Sequence, residues 1–128
     1  MLNSYAPLFI DCQSTGASPA TSSLLELACN DSSWVLRPDQ DVPKKILKLI
    51  GISADEVERG LSEFQVYAQL SAIIDSAKRN SGEGIFAVAH FARFEQVHLD
   101  RLWQSNGFEK FPLPIVCTCL LYTSPSPR

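Results

Sequence analysis

The sequence predicts an α/β domain on a mixed sheet, with three antiparallel strands first and helices on its flanks. Three short apolar runs separated by turn-forming residues open the chain, and helical periodicity then alternates with further strand-length apolar runs. With 128 residues, 45% hydrophobic and 20% charged, the chain has the composition of one soluble globular domain. These proportions are not those of a disordered tail or a membrane protein.

The three opening strands are predicted from apolar runs at residues 8–12, 24–29 and 34–36. The first run ends in a cluster of turn-forming residues at 14–19, and residues 30–32 separate the second run from the third. Short strands joined by such turns are typical of an antiparallel meander.

Three helices are expected next. Pro38 ends the sheet, and residues 41–43 open a helix whose apolar positions recur at helical spacing until Gly51. Ser53 begins a short helix with a capping box, since a glutamate follows three residues later, and this helix ends near Gly60. Ser62 caps a longer helix that is predicted to pack on the sheet through Phe64, Tyr67, Leu70, Ile73, Ile74 and Ala77.

The remaining elements are a strand, a helix and a fifth strand. Residues 85–89 are almost wholly apolar, which is typical of a central strand covered on both faces. Helical periodicity returns over residues 92–104 through Phe94, Val97, Leu99 and Leu102, and Asn106-Gly107 ends that helix. Residues 115–117 are predicted to form the last strand.

Charge and cysteine content restrict the class of protein. A net charge of −3 is not typical of a nucleic-acid-binding domain, although carboxylates that chelate divalent cations would give the same balance. The four cysteines form no C-x-x-C pair and no zinc spacing with the two histidines, so they are interpreted as intracellular free thiols. Without a signal sequence or long apolar run, no membrane association and a cytoplasmic location are expected.

The first candidate site motif lies at the end of the first strand. Asp11 and Gln13 are two residues apart, so the period of a strand places both side chains on the same face. Ser14, Thr15 and Gly16 follow, and they offer hydroxyls and unhindered backbone N–H groups suited to a sugar hydroxyl or a phosphate. These residues also fit an ordinary turn capped by Asp11.

The second motif joins the central strand to the following helix. His90 and Phe91 follow the strand, and Glu95 lies one turn inside the helix. Alternatively, Glu95 only complements the helix dipole, and His90 is a structural hydrogen-bonding residue. His98 is expected in the core or at its rim.

Together these motifs resemble the DnaQ-like, or DEDD, exonuclease superfamily, which includes the proofreading (epsilon) subunit of bacterial DNA polymerase III. Its first motif, D-x-E-T-T-G, corresponds to DCQSTG at 11–16, and its second, H-N-A-x-F-D, corresponds to HFARFE at 90–95. LELA at 25–28, IGIS at 50–53 and CT at 117–118 add to the likeness, which covers residues 7–118. The order and spacing are more specific than either motif alone.

The resemblance implies a ribonuclease H-like fold and hydrolysis of phosphodiester bonds at single-stranded or frayed 3′ ends of nucleic acid. Two divalent cations, Mg²⁺ or Mn²⁺, would assist, and carboxylates suit such hard cations. Asp11 would bridge both cations, Gln13 would hold one, and Glu95 would reach the other through water. The terminal nucleotide would be contacted by Ser14, Thr15, Gly16, His90 and Phe91. A fused domain or a polymerase partner is left open.

Departures from the family pattern restrict the expected activity. Gln13 replaces a glutamate, Glu95 replaces an aspartate, and Phe91 replaces an asparagine. The family's final motif, a histidine and a later aspartate, has no counterpart after Thr118, so its C-terminal helices are expected to be missing and the 128-residue chain is expected to be inactive. Metal affinity should suffer from the loss of charge at Gln13.

The last ten residues are treated separately from the domain. Residues 119–128, CLLYTSPSPR, read like a translated sequencing adapter and are predicted to be a non-native tail. The alternative is an ordinary flexible Ser/Pro-rich terminus. Under either interpretation of the tail, residues 1–118 are expected to be the N-terminal part of an exonuclease domain.

Three functional interpretations remain open at this stage. The chain belongs to an exonuclease, or it is a catalytically degenerate nucleic-acid-binding module with a nuclease fold, or it is an unrelated α/β domain with chance matches. Other enzyme classes lack support, because the sequence has no phosphate-binding G-x-x-x-x-G-K-[ST] loop, no G-x-S-x-G motif and no dinucleotide-binding G-x-G-x-x-G motif.

Overall fold

Five strands in the described part of the chain form one mixed sheet in the order β3-β2-β1-β4-β5. The computed structural model describes residues 5–16, 18, 21–81, 84–90 and 92–118. β1 is antiparallel to β2 and parallel to β4, while β3 continues the antiparallel part and β5 the parallel part. The strands are β1 (Tyr5–Ser14), β2 (Leu24–Cys29), β3 (Ser32–Val35), β4 (Gly84–Ala89) and β5 (Ile115–Cys117). The predicted α/β class with three antiparallel strands first is confirmed.

β1 is longer than the apolar run that predicted it. Its first half, residues 5–9, pairs with β4, and its second half, residues 10–14, pairs with β2. Because backbone pairing rather than apolar side chains sets the length of a strand, the polar residues Asp11, Gln13 and Ser14 remain part of it.

Four helices connect the strands within the described residues: α1 (Lys44–Ile50), α2 (Ala54–Glu58), α3 (Glu63–Ser81) and α4 (Ala92–Gln104). The capping box at Ser53 is present, since Ser53 accepts from the Glu56 backbone and Glu56 accepts from the Ser53 backbone. Ser62 makes the same reciprocal pair with Gln65 at the start of α3. α1 ends at Gly51, whose φ of 88° is a conformation that favours glycine.

The main core lies between one face of the sheet and helices α3 and α4. Side chains on β1 alternate, so that Leu8, Ile10 and Cys12 are buried while their neighbours are exposed. From the helices, the core receives Val66, Leu70, Ile74, Leu99, Leu102 and Trp103. Each fully buried side chain of this size contributes about 1.5–3 kcal/mol relative to exposure.

Two side chains predicted to lie on packing faces are instead exposed. Phe64 is 64% exposed, because the face of α3 that meets the sheet is set by Val66, Leu70 and Ile74, with Tyr67 beside them. Val97 on α4 is 38% exposed. Both residues fit a helical repeat, but the repeat alone does not tell the centre of an apolar face from its margin.

A smaller apolar cluster fastens α1 and α2 to β2. It consists of Leu25, Leu47, Ile52 and Val57. Gln13 pairs with Glu26 and Ser14 pairs with Leu24, so Leu25 is an extra residue in a β-bulge. The bulge turns Leu25 away from the main core and toward α1 and α2.

Some predictions fall on residues outside the described ranges, namely those for Phe91 and for residues 119–128, and they remain predictions. Among the cysteines that are described, Cys12 and Cys29 are buried, Cys117 is half-buried, and all three are free thiols, as expected from the sequence. No helix in the described ranges has the length and apolar character needed to cross a membrane.

Candidate functional site

The candidate site lies where β1 and β4 part. These parallel strands pair only as far as Phe9 and Val88, after which β1 continues toward β2 and β4 leads into α4. Parallel strands end at the same edge of a sheet, and ligands in α/β folds bind in crevices at that edge. A cleft of about 980 Å³ opens here, and Asp11, Gln13 and Glu95 all line it.

Asp11 and Gln13 are exposed, whereas Cys12 and Ser14 beside them are buried. The strand period therefore places both polar side chains on the same face, as the sequence indicated. Gln13 is the cross-strand neighbour of Glu26, which is half-buried on the same face. Glu26 had no assigned role in the sequence, because its position opposite Gln13 depends on the register of β1 and β2.

Glu95 is only 3% exposed, although it is a carboxylate. Its Oε2 accepts a hydrogen bond of 3.2 Å from the backbone N–H of Cys12, beyond the last residue of β1 that pairs with β4. Its other oxygen, Oε1, has no hydrogen-bond partner among the described residues. Burial raises the pKa of Glu95; the Cys12 backbone N–H lowers it in part, and the charge of Asp11 raises it further.

The turn after Asp11 and Gln13 closes on itself through its own hydroxyls. The Ser14 hydroxyl donates to the Gly16 carbonyl at 2.7 Å. The Thr15 N–H donates to the Ser23 carbonyl at 2.9 Å, and the Ser23 N–H donates to the Thr15 hydroxyl at 2.9 Å. Ser14 and Gly16 line the cleft, whereas Thr15 is not among its described lining residues and joins the two sides of the loop.

His90 lines the cleft and also connects the ends of β4 and β5. Its Nδ1 lies 2.9 Å from the Thr118 hydroxyl, and its carbonyl accepts a hydrogen bond from the Cys117 thiol at 3.0 Å. The structural interpretation of His90 therefore has direct support, while its position in the cleft leaves a contact with substrate as a prediction.

His98 belongs to the core and is 2% exposed. The Phe94 ring packs against its imidazole with centroids 4.7 Å apart. Burial lowers the pKa of His98 to about 4, and the nearby Arg101 adds to this effect. The imidazole is therefore neutral at physiological pH.

An apolar wall, missed in the sequence, lies across the cleft. It consists of Ile46, Leu49 and Ile50 on α1, with Phe94 and Val97 on α4. Leu49 is 82% exposed, so it does not serve the core. The spacing of these residues signalled only that α1 and α4 are helices, and their convergence required the tertiary fold.

The donor atoms of the site are oxygens, the type that hard divalent cations prefer. Asp11 and Glu95 provide carboxylates, and Gln13 provides an amide oxygen. Across the described ranges, no three His, Cys, Asp or Glu side chains group closely enough to hold a metal ion. The Oε1 atom of Glu95, which has no partner in the part of the chain that the structure describes, is the feature that fits a cation, because a buried polar atom normally has a hydrogen-bond partner.

Comparison with known proteins gives matches among solved structures only. No protein-family model matches the sequence, and no curated protein matches it. A structure of E. coli exonuclease I in complex with a 5cy-dT13 oligonucleotide matches with a TM-score of 0.72 and 12% identity, over 92% of this chain and 29% of that one. An apo structure of exonuclease I matches with a TM-score of 0.70 and 13% identity, over 94% of this chain and 32% of that one.

A product-bound structure of exonuclease I gives the same result, with a TM-score of 0.70 and 12% identity, over 95% of this chain and 32% of that one. The chain thus spans about 30% of the length of these proteins. At this level of identity the likeness concerns the fold. The chain has the ribonuclease H-like fold that the sequence predicted, in the form found in exonuclease I.

Proposed function

We propose that this chain is part of a 3′-to-5′ exonuclease-type nuclease, which in the parent protein hydrolyses phosphodiester bonds at nucleic-acid ends with the help of divalent cations. One observation carries the proposal. In a fold shared with exonuclease I, Asp11, Gln13 and the buried Glu95 meet in one cleft, and one carboxylate oxygen of Glu95 has no hydrogen-bond partner among the residues that the structure describes.

A divalent cation suits this arrangement. Burying a carboxylate is costly unless it is hydrogen-bonded or paired with positive charge. The Cys12 N–H satisfies one oxygen of Glu95, and a cation held by Asp11, Gln13 and Glu95 would satisfy the other. Bound Mg²⁺ or Mn²⁺ would stabilise charge on the phosphate and make water a better nucleophile.

The rest of the cleft fits a nucleotide, which combines an anionic phosphate with a flat and largely apolar base. The apolar wall around Leu49 and Phe94 offers a surface on which an unpaired base would lie. Arg93 lines the same cleft and brings a positive charge for phosphate, and Ser14 and Gly16 of the neighbouring turn line it as well. These features favour a single-stranded end as the substrate.

Gln13 supports a second candidate function, a nucleic-acid-binding module that has lost hydrolysis. At about 4 Å and an effective dielectric constant near 20, one unit charge acts on a monovalent partner with about 4 kcal/mol before solvation offsets it. An amide in place of a carboxylate forfeits that attraction. Divalent cations should therefore bind more weakly than with glutamate at this position.

Mn²⁺ titration of the wild-type chain and of Gln13→Glu, Asp11→Asn and Gln40→Glu tests the proposal. Gln40 is exposed and does not line this cleft, so it controls for the added charge alone. We expect Gln13→Glu to tighten Mn²⁺ binding about tenfold or more, because even about 1.4 kcal/mol of the restored attraction corresponds to tenfold. Asp11→Asn should abolish binding, and Gln40→Glu should have no effect.

Cleavage of a 3′-labelled oligonucleotide by the parent protein separates the two candidate functions. Metal-dependent cleavage by the wild type supports the exonuclease. If only Gln13→Glu cleaves while the wild type binds the strand, the degenerate binding module is the correct function. If Asp11→Asn binds Mn²⁺ as tightly as the wild type does, the proposed site is wrong.

A further inference from the structure

Helix α4 holds the loop between β1 and β2 through two contacts with one residue, Ser22. The Ser22 hydroxyl lies 3.5 Å from His98 Nε2, and the Ser22 carbonyl accepts a hydrogen bond of 3.1 Å from Arg101 Nη1. Ser22 is only 5% exposed. The hydroxyl and the carbonyl of this buried residue are thus both directed at the same helix, while its N–H donates to the Ser18 carbonyl within the loop.

The position of Ser22 sets the position of the turn that lines the cleft. Its neighbour Ser23 forms the reciprocal pair of hydrogen bonds with Thr15. A Cβ added to Gly16 would lie 3.7 Å from the Ser22 Cβ, so the two sides of the loop lie close together at this point. A shift of Ser22 therefore passes directly to residues 14–16.

The same side of α4 also carries the candidate metal ligand. Glu95, His98 and Arg101 follow one another at intervals of three residues, which places them as successive neighbours along the helix surface. Glu95 fixes the strand at Cys12, and the other two fix the loop at Ser22. A single helix thereby fixes the position of the 14–16 turn relative to the carboxylates of Asp11 and Glu95.

We infer that Ser22, His98 and Arg101 are positioning residues that hold the 14–16 turn in register with Asp11 and Glu95 for the terminal nucleotide. This inference rests on the proposed function. The three residues act through the turn and touch neither the phosphate nor a cation. Loosening them should weaken nucleotide binding and leave the affinity for divalent cations unchanged.

The test compares Ser22→Ala, His98→Leu and His98→Gln with the exposed control Ser33→Ala on β3. Binding of a 5′-fluorescein-labelled oligothymidylate is measured by anisotropy in Mn²⁺, and Mn²⁺ binding is measured separately. Loss of a buried hydrogen bond is worth about a tenfold change in an equilibrium constant. We expect Ser22→Ala and His98→Leu to raise the Kd for the oligonucleotide about five- to tenfold, with the Mn²⁺ affinity unchanged within about twofold.

His98→Gln should restore most of the binding, because a neutral amide can still meet the Ser22 hydroxyl. Unchanged oligonucleotide binding in Ser22→Ala would overturn the inference, and so would an equal loss of Mn²⁺ binding or a His98→Gln as weak as His98→Leu. If His98→Leu does not fold, Ser22→Ala carries the comparison, because it removes a single oxygen atom.

Amide hydrogen exchange separates failure of this inference from failure of the proposed function. If the wild type binds no oligonucleotide, the proposed function is wrong, but amide exchange in the loop between β1 and β2 can still be measured. Exchange at the Thr15 and Ser23 amides should be faster in Ser22→Ala than in the wild type, with β4 amides as the internal reference. If the Thr15 and Ser23 amides exchange at the same rate in Ser22→Ala as in the wild type, the contacts of Ser22 do not hold the loop.

Discussion

Replacing Glu95 with glutamine should stabilise the metal-free chain at neutral pH, although it weakens the candidate site. The glutamine oxygen can keep the 3.2 Å hydrogen bond from the Cys12 N–H, while the buried negative charge disappears. A buried polar atom without a partner costs about 1–3 kcal/mol, and more when it is charged. Because the two N–H donors of the glutamine amide would themselves lack partners, the net gain in the free energy of unfolding is expected to be small, about 1 kcal/mol.

The pH dependence has a definite sign. The pKa of Glu95 is raised in the folded state, so the folded chain holds this proton more tightly than the unfolded chain does. The free energy of unfolding therefore falls as pH rises from the ordinary pKa of a glutamate through the raised pKa of Glu95. Glu95→Gln should remove that fall, and Mn²⁺ should offset it in the wild type alone.

Urea denaturation followed by tryptophan fluorescence provides the measurement, since Trp34 and Trp103 are both buried. Denaturation curves are recorded at pH values below and above the range in which the free energy of unfolding is expected to fall, each with and without Mn²⁺. Glu95→Ala is the matched variant that also loses the hydrogen bond to Cys12, and it should be less stable than Glu95→Gln. If Glu95→Gln is less stable than the wild type at neutral pH, or keeps the same pH dependence, the role given to the unpartnered oxygen is wrong.

Other substitutions test the cleft and the core separately. Leu49→Ser should leave the free energy of unfolding within about 0.5 kcal/mol, since Leu49 is 82% exposed, but should weaken binding of a single strand. A single strand with an abasic 3′ end should bind the wild type and Leu49→Ser equally well. If Leu49→Ser weakens binding of the intact strand and the abasic strand to the same extent, the apolar wall does not contact the terminal base. Phe111→Ala should cost about 3–5 kcal/mol in urea denaturation, because Phe111 is 2% exposed and packs edge-on against Trp103. Gly60→Ala should cost about 1–3 kcal/mol in the same assay, because the added Cβ would lie 2.8 Å from backbone atoms of Val35 and Leu36; a stability equal to wild type would contradict that close approach.

Local sequence signals were sufficient for the order and type of the elements. The capping residues Ser53 and Ser62 begin their helices as expected, and Gly51 ends α1 in a left-handed conformation. The apolar run at 85–89 became β4, which lies between β1 and β5. These signals act over a few residues, so they are readable without a tertiary structure.

The candidate site was predictable only in part, for reasons of distance along the chain. Asp11 and Gln13 share a face because of the strand period. That Glu95 would lie near Asp11 was expected only through the resemblance, and its hydrogen bond to Cys12, across 83 residues, was not expected at all. Packing and register determine three further features: the contact of Ser22 with His98, the exposure of Leu49, and the position of Glu26 opposite Gln13. No local spacing encodes these relations.

The parting of β1 and β4 after Phe9 also bears on how such a fold would lose its chemistry. Among the described residues, β4 offers no partner to the Cys12 N–H, and Glu95 provides the acceptor that this buried donor needs, whatever the protein catalyses. Position 13 is exposed and carries no comparable obligation. A substitution at position 13 that weakens the proposed hydrolysis would therefore leave the fold unaffected. A substitution that removes the acceptor at Glu95 would destabilise the fold and impair the proposed chemistry together.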